Sequence, residues 1–381
     1  MHNNKNILSL LFCLCLSFSS GIFQAQISDE TQYDSTLQEA FQNKFRIGAA
    51  LNAGQITGRE PEAIAVVKQH FNSIVAENCM KSGRIQPRNG EFEFSLPDAF
   101  VEFGERNNIH IHGHTLIWHS QAPRWFFVDE EGEPVSKEVL IQRMKDHIHT
   151  VVGRYKGRVH SWDVVNEAIL DDGSFRESEF YKIIGEDFIK LAFRFAHEAD
   201  PEAELFYNDY SMSNPGKREG VVKMVEKLKK EGIPIDGIGM QGHIGLNHPD
   251  IKEFEKSLEA YGALGQVVIS ELDLSVLPSP WGDAGANISD NFEYENRMNP
   301  FKEELPASVE AQFNKRYTEF FQLFLKHQEV ISRVTLWGVN DENSWKNNWP
   351  VKGRTDYPLL FNRENQPKSV VNMLIELNSR G

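Results

Sequence analysis

The chain has few cysteines, no internal repeat and no long Pro/Gly/Ser linker. Only three cysteines occur in 381 residues. Two of them, Cys13 and Cys15, lie in an apolar run near the start. Without that run Cys79 stands alone and no intrachain disulfide can form, which excludes the small cross-linked scaffolds. Cys79 is a poor candidate for a nucleophile, and a small buried residue at a strand end is the simpler reading. Positive charge is also short, with 40 Lys and Arg against 55 Asp and Glu and a net charge of −15. Such a surface repels phosphate backbones and argues against a nucleic-acid partner, but not against a neutral polymer.

The apolar run at residues 7–18 follows Lys5 and is too short to span a bilayer. Ser19-Ser20-Gly21 and Ala25-Gln26 come after it. Residues 1–25 read as a cleaved signal peptide, which leaves 26–381 as the mature domain. That implies export to the periplasm, the cell surface or the medium, without stable membrane insertion afterwards. Phe23 is large where cleavage favours a small side chain, so an uncleaved anchor is the alternative.

With 40 % hydrophobic and 25 % charged residues, the chain has a globular composition. Strand-like runs fall at 46–52, 71–78, 109–118, 159–168, 204–210, 237–244, 266–274 and 333–341. Amphipathic stretches lie between them, at 138–155, 177–199, 217–231, 248–262 and 308–327. Strands alternating with helices imply a parallel sheet. Eight such units predict an α/β fold, a single (β/α)8 TIM barrel whose active-site cleft lies at the C-terminal ends of the strands. Polar or aromatic residues occupy nearly every late strand position, as an enzyme site on this fold requires. The stretch at 278–306 is too long for a simple connection. It is either a functional loop over the site or a solvated insertion.

Two acids stand out at these strand ends, Glu167 after Asn166 and Glu271 after Ser270. Glycosidic cleavage needs two carboxyl groups facing each other across the sugar. One protonates the leaving oxygen, and burial keeps it protonated near neutral pH. The other attacks as a carboxylate. Glu271 is the better nucleophile, because Asp273 lies two residues on and points the same way along a strand. Asp273 can take a proton from a histidine that also holds Glu271, and His243 is the candidate.

His110, His112 and His114 alternate along one run. A metal site is one reading of such a row. The other has each ring satisfied singly, with His114 gripping a sugar hydroxyl. Of the seven tryptophans, Trp118, Trp337 and Trp345 fall where a pyranose face could stack, whereas Trp162 reads as core. Asn52, Glu77, Asn78, Lys81, Gln121, Asn166, Asn208 and Gln241 add paired donors and acceptors suited to sugar hydroxyls.

Taken in order, the segments Val75-Ala76-Glu77-Asn78-Cys79-Met80-Lys81, His112-Gly113-His114-Thr115-Leu116-Ile117-Trp118-His119-Ser120-Gln121, Trp162-Asp163-Val164-Val165-Asn166-Glu167, Tyr207-Asn208-Asp209-Tyr210, Gly239-Met240-Gln241-Gly242-His243, Ile269-Ser270-Glu271-Leu272-Asp273 and Leu336-Trp337-Gly338 resemble glycoside hydrolase family 10, the endo-β-1,4-xylanases. The resemblance implies a retaining hydrolase acting on xylan and xylo-oligosaccharides, without metal or other cofactor. It makes Glu167 the acid/base and Glu271 the nucleophile, with His243 and Asp273 tuning Glu271. Asn166 would contact the 2-hydroxyl of the sugar being cleaved. His114, Trp118, Gln121, Gln241 and Trp337 would line that subsite. Glu77, Asn78 and Lys81 would hold the next sugar toward the non-reducing end. Trp345 would crowd a hexose hydroxymethyl, and Tyr210 would face the cleft. Ser82 and Gly83 depart from the family, which usually has Trp and an acidic residue there.

Overall fold

The computed structural model describes residues 35–279 and 298–379. The proposed leader at 1–25 lies outside the described residues, as does most of the 278–306 insertion. Among the described residues no helix is long and apolar enough to cross a membrane.

Among the described residues nine strands form in chain order: β1 Arg46–Leu51, β2 Ser73–Ala76, β3 His110–Trp118, β4 Ser161–Asn166, β5 Glu204–Asp209, β6 Gly237–Met240, β7 His243–Gly245, β8 Gln266–Ser275 and β9 Ile331–Leu336. Every pairing is parallel. The ladder runs from β1 through β6, passes to β8, then to β9, and returns to β1. Eight strands therefore close a ring, the (β/α)8 barrel. β7 stands outside it and pairs only with β8.

Two expected elements are each divided. The run at 237–244 is two strands, because Gly242 takes a φ of 79°. The break has a consequence for the site, since β7 then pairs with His243 directly opposite Asp273. The stretch at 177–199 is two helices, Glu179–Ile184 and Asp187–Ala199. Gly185, at a φ of 84°, ends the first of them.

The helices start where the chain supplies caps. Ser136 accepts from Val139 N before helix Lys137–Arg154, and Asp250 accepts from Lys252 N and Glu253 N before helix Ile251–Gly262. Buried aromatic rings are set into a mainly aliphatic core. Phe41 stacks on Phe45 at 5.1 Å and meets Phe321 at 5.4 Å, and Phe254 meets Phe320 edge-on at 5.1 Å. Trp162 is fully buried, as read from the sequence. Burying each such ring stabilises the fold by roughly 1.5–3 kcal/mol.

Candidate active site

Around the C-terminal ends of the strands, single backbone bonds continue the ladder. Glu77 N donates to Leu51 O, Glu167 N to Asn208 O, Gln241 N to Asp209 O, Glu271 N to Gln241 O and Trp337 N to Leu272 O. That scaffold opens onto a cavity of about 740 Å³. Its walls include Glu77, Asn78, Lys81, His114, Trp118 and Gln121 from the first half of the barrel, and Asn166, Glu167, Tyr210, Gln241, His243, Glu271, Trp337 and Trp345 from the rest.

Glu167 sits in a left-handed backbone conformation, φ 58°, one residue past β4. Such strain persists only where neighbours hold it. Here Arg176 Nε donates to Glu167 O at 2.9 Å, and the Tyr207 hydroxyl accepts from Ala168 N and Ile169 N at 3.0 and 3.1 Å. The carboxyl accepts from Trp118 Nε1 at 2.9 Å and from Gln241 Nε2 at 3.0 Å. Burial, and then the nearby Asp209 charge, push its pKa up; the two hydrogen bonds and Glu271 are lesser influences.

Glu271 is held differently. Asn208 Nδ2 donates to Oε1 at 2.8 Å, and His243 Nε2 lies 3.3 Å from Oε2. His243 Nδ1 lies 3.0 Å from Asp273 Oδ1. Burial alone would lower the His243 pKa. The Asp273 charge and the contacts with Asp273 and Glu271 overcome that and lift it to about 9, so the ring is an imidazolium at neutral pH. Trp345 Nε1 donates to Asp273 Oδ2 at 2.8 Å, and Lys346 Nζ approaches Oδ1 at 3.3 Å.

Asn208 and Asp273 are both fully buried and do not line the cavity. Asn208 was expected among the sugar-binding residues. Its amide instead donates to Asn166 Oδ1 and Glu271 Oε1 while accepting from Ser270 Oγ. Both amide hydrogens are thereby used within the protein, one of them on the glutamate. Asn52, another expected sugar contact, caps the short helix Ala53–Ile56.

The histidine row is tied to two shared partners on β4, Ser161 and Asp163, and His112 reaches both. His110 and His112 both contact Ser161 Oγ, at 3.2 and 2.7 Å, and His110 stacks on His160. His114 Nδ1 meets Asp163 Oδ2 at 2.8 Å. A carboxylate can only accept, so Nδ1 carries the proton and Nε2 is left for the cleft. Among the described residues, the one set with metal-ligand spacing is Glu255, Glu259 and His327, away from this cavity.

In the segment that carries Glu77, Lys81 Nζ donates to Asn78 Oδ1 at 3.0 Å and lies 5.1 Å from the Trp118 ring centre. Burial raises the Glu77 pKa, against the Lys81 charge. Gly83 explains part of the departure there. A Cβ at this position would stand 2.3 Å from Gln121 O, so only glycine lets the Gln121 turn pack this closely. Arg176 and Lys217 escaped the sequence reading, and Tyr207 entered it only as part of a matching segment, without a role. The only signal of the first two was position, in a loop and a helix after the strand ends.

A family model, glycosyl hydrolase family 10, matches residues 36–377. The chain is similar to endo-1,4-beta-xylanase A of Xylanibacter ruminicola, 47% identical over 94% of this chain and 98% of that protein. It is similar to an endo-1,4-beta-xylanase of Geobacillus stearothermophilus, 42% identical over 87% of this chain and 96% of that protein. Among solved structures, a GH10 endoxylanase from a sugarcane soil metagenome superposes with a TM-score of 0.87 at 45% identity, covering 90% of this chain and 99% of that one. A match that runs nearly end to end, on the same barrel, means that the chain belongs to glycosyl hydrolase family 10.

Proposed function

We propose that this protein is an exported endo-β-1,4-xylanase that cleaves internal bonds of xylan with retention of configuration. The observation that carries the reading is the unequal treatment of two glutamates in one cavity. Glu167 is buried beside a negative charge, which favours the proton it must give to the leaving oxygen. Glu271 is gripped at both oxygens, by an amide and by an imidazolium, which aims it for attack. Attack by Glu271 forms a glycosyl-enzyme while Glu167 protonates the departing sugar. Glu167 then takes a proton from water, which releases the second product. Asn166, tethered to Asn208, stands ready for the 2-hydroxyl. The relatives named above are xylanases, and the aromatic walls at Trp118, Trp337 and Trp345 suit xylose faces.

The residue assignments for the neighbouring subsites follow the same reading, with Glu77, Asn78 and Lys81 on the next sugar. Export rests on the apolar start of the chain alone.

Reducing-sugar release from xylan tests the activity. Proton NMR of the first anomer formed tests the stereochemistry. A β-anomer is expected, and a carboxyl spacing of about 5–5.5 Å goes with it. An α-anomer as first product would overturn the double displacement.

A further inference from the structure

Glu167 is strained, yet none of the groups that bond its own carboxyl holds the turn. That task falls to Arg176, which donates to Glu167 O, and to the buried hydroxyl of Tyr207. It accepts two consecutive N–H groups, from Ala168 and Ile169. A hydroxyl that accepts twice has one proton left to give, and it gives it to Asp209 Oδ2. Asp209 is fully buried, so its charge needs a counter-charge. Lys217 supplies one, with Nζ 2.9 Å from Asp209 Oδ1 and itself fully buried. The same ammonium sits 3.6 Å over the Tyr210 ring and 3.3 Å from Asp171. Tyr210 N closes the set by donating to Asp209 Oδ1.

We propose that Tyr207, Asp209 and Lys217 are positioning residues that hold the Glu167 turn and balance the charge behind its carboxyl. The inference rests on the reading of Glu167 as the acid/base. Each link requires the next, from the two N–H groups to the hydroxyl, the carboxylate and the ammonium. None of the three lines the cavity.

The other charged or titratable groups near Glu167 come from several elements. Glu271 follows from β8, and Lys81 lies in the loop after β2. His119 Nδ1 is 4.0 Å from Oε2, past β3. Arg176 and Tyr210 bond each other at 2.7 Å on the far side. Around Asp209, Tyr261 adds a further neutral phenol, kept so by burial. Against this fixed surround, the two buried charges act with opposite sign on the acid.

The test is the pH profile of kcat/KM for Asp209→Asn and Lys217→Met. On xylo-oligosaccharides the alkaline limb reports loss of the proton from the acid. Asp209→Asn removes the buried negative charge, leaves the ammonium only the half-exposed Asp171 as an ionic partner, and moves that limb down by about 1 pH unit. Lys217→Met leaves the carboxylate uncompensated and moves it up. On an aryl β-xylobioside with a dinitrophenolate leaving group, which needs no acid, kcat/KM changes by less than about threefold. A third variant, Tyr207→Phe, orphans the Ala168 N–H, leaves the Ile169 N–H only its 3.4 Å bond to Asp209 Oδ2, and lowers xylo-oligosaccharide turnover without displacing the limb in the same sense as either charge change. Limbs that stay in place in both charge variants, or move together, overturn the inference. A wild-type chain that releases no sugar from xylan overturns the functional reading instead.

Discussion

In the proposed mechanism Glu167 and Glu271 divide one reaction between them, and single substitutions separate the roles proposed for them. Glu167→Ala is expected to cut xylan cleavage by about 10²–10⁴-fold. It should spare the first step on the activated aryl glycoside, whereas Glu271→Ala abolishes both. Stopped-flow release of dinitrophenolate checks this, and an equal loss of the burst in the two variants would reverse the assignment. His243 makes a second residue-level prediction. Its folded pKa is about 9 against an ordinary 6.5. The pair therefore stabilises fully below about 6.5, and that stabilisation is lost as pH rises through 9. Urea midpoints of wild type should fall between pH 6.5 and 9.5, and His243→Gln should flatten that fall. Both glutamates were legible in the sequence because each ends a strand-like run. The burial of Asn208 was not, because an amide at a strand end looks the same whether it faces a sugar or a carboxylate.

At the level of elements, the eight strands were readable from apolar runs and spacing. The break between β6 and β7 was not. An apolar run reads alike across one strand or two, and only the left-handed Gly242 reveals the fracture. That fracture sets the His243–Asp273 register on which the nucleophile depends. β6 contributes a further device. A Cβ on Gly239 would stand 2.4 Å from Asn208 Oδ1. Gly239→Ala must therefore push Asn208 off Glu271. We expect a stability loss of about 1–3 kcal/mol from overpacking. A lost hydrogen bond to a charged group, worth about 1.5–3 kcal/mol, should add at least a tenfold fall in kcat. Thermal unfolding and steady-state kinetics on the same preparation check both. Unchanged kcat would mean that Asn208 does not matter to the nucleophile.

Across the whole molecule, burial of titratable groups sets the response to acid. His70, His112 and His147 are pushed down to about 4 and His119 to about 3, each mainly by burial, and His110 lower still. Each stays neutral in the fold but charges in the unfolded chain below about 6.5, so stability falls as pH falls through that window. Burial acts the other way on Asp341, raised to about 6, and on Glu77 and Glu167. Five histidines outweigh three carboxyls. The urea midpoint should thus be lower at pH 4.5 than at 6.5, and a higher one would refute this balance. None of this was visible from composition, since a histidine's burial is decided by partners far along the chain. The barrel itself was visible, because its period is written into every repeat of strand and helix.

Cys79 lies buried beside the cleft wall, its thiol pushed up to about 12 by burial. A version of the chain begun at residue 26 carries no other sulfhydryl. Maleimide reagents would leave that one untouched under native conditions. A cysteine engineered on the rim would then be a unique attachment point for a fluorophore, and occupancy of the groove could be followed by emission without background labelling.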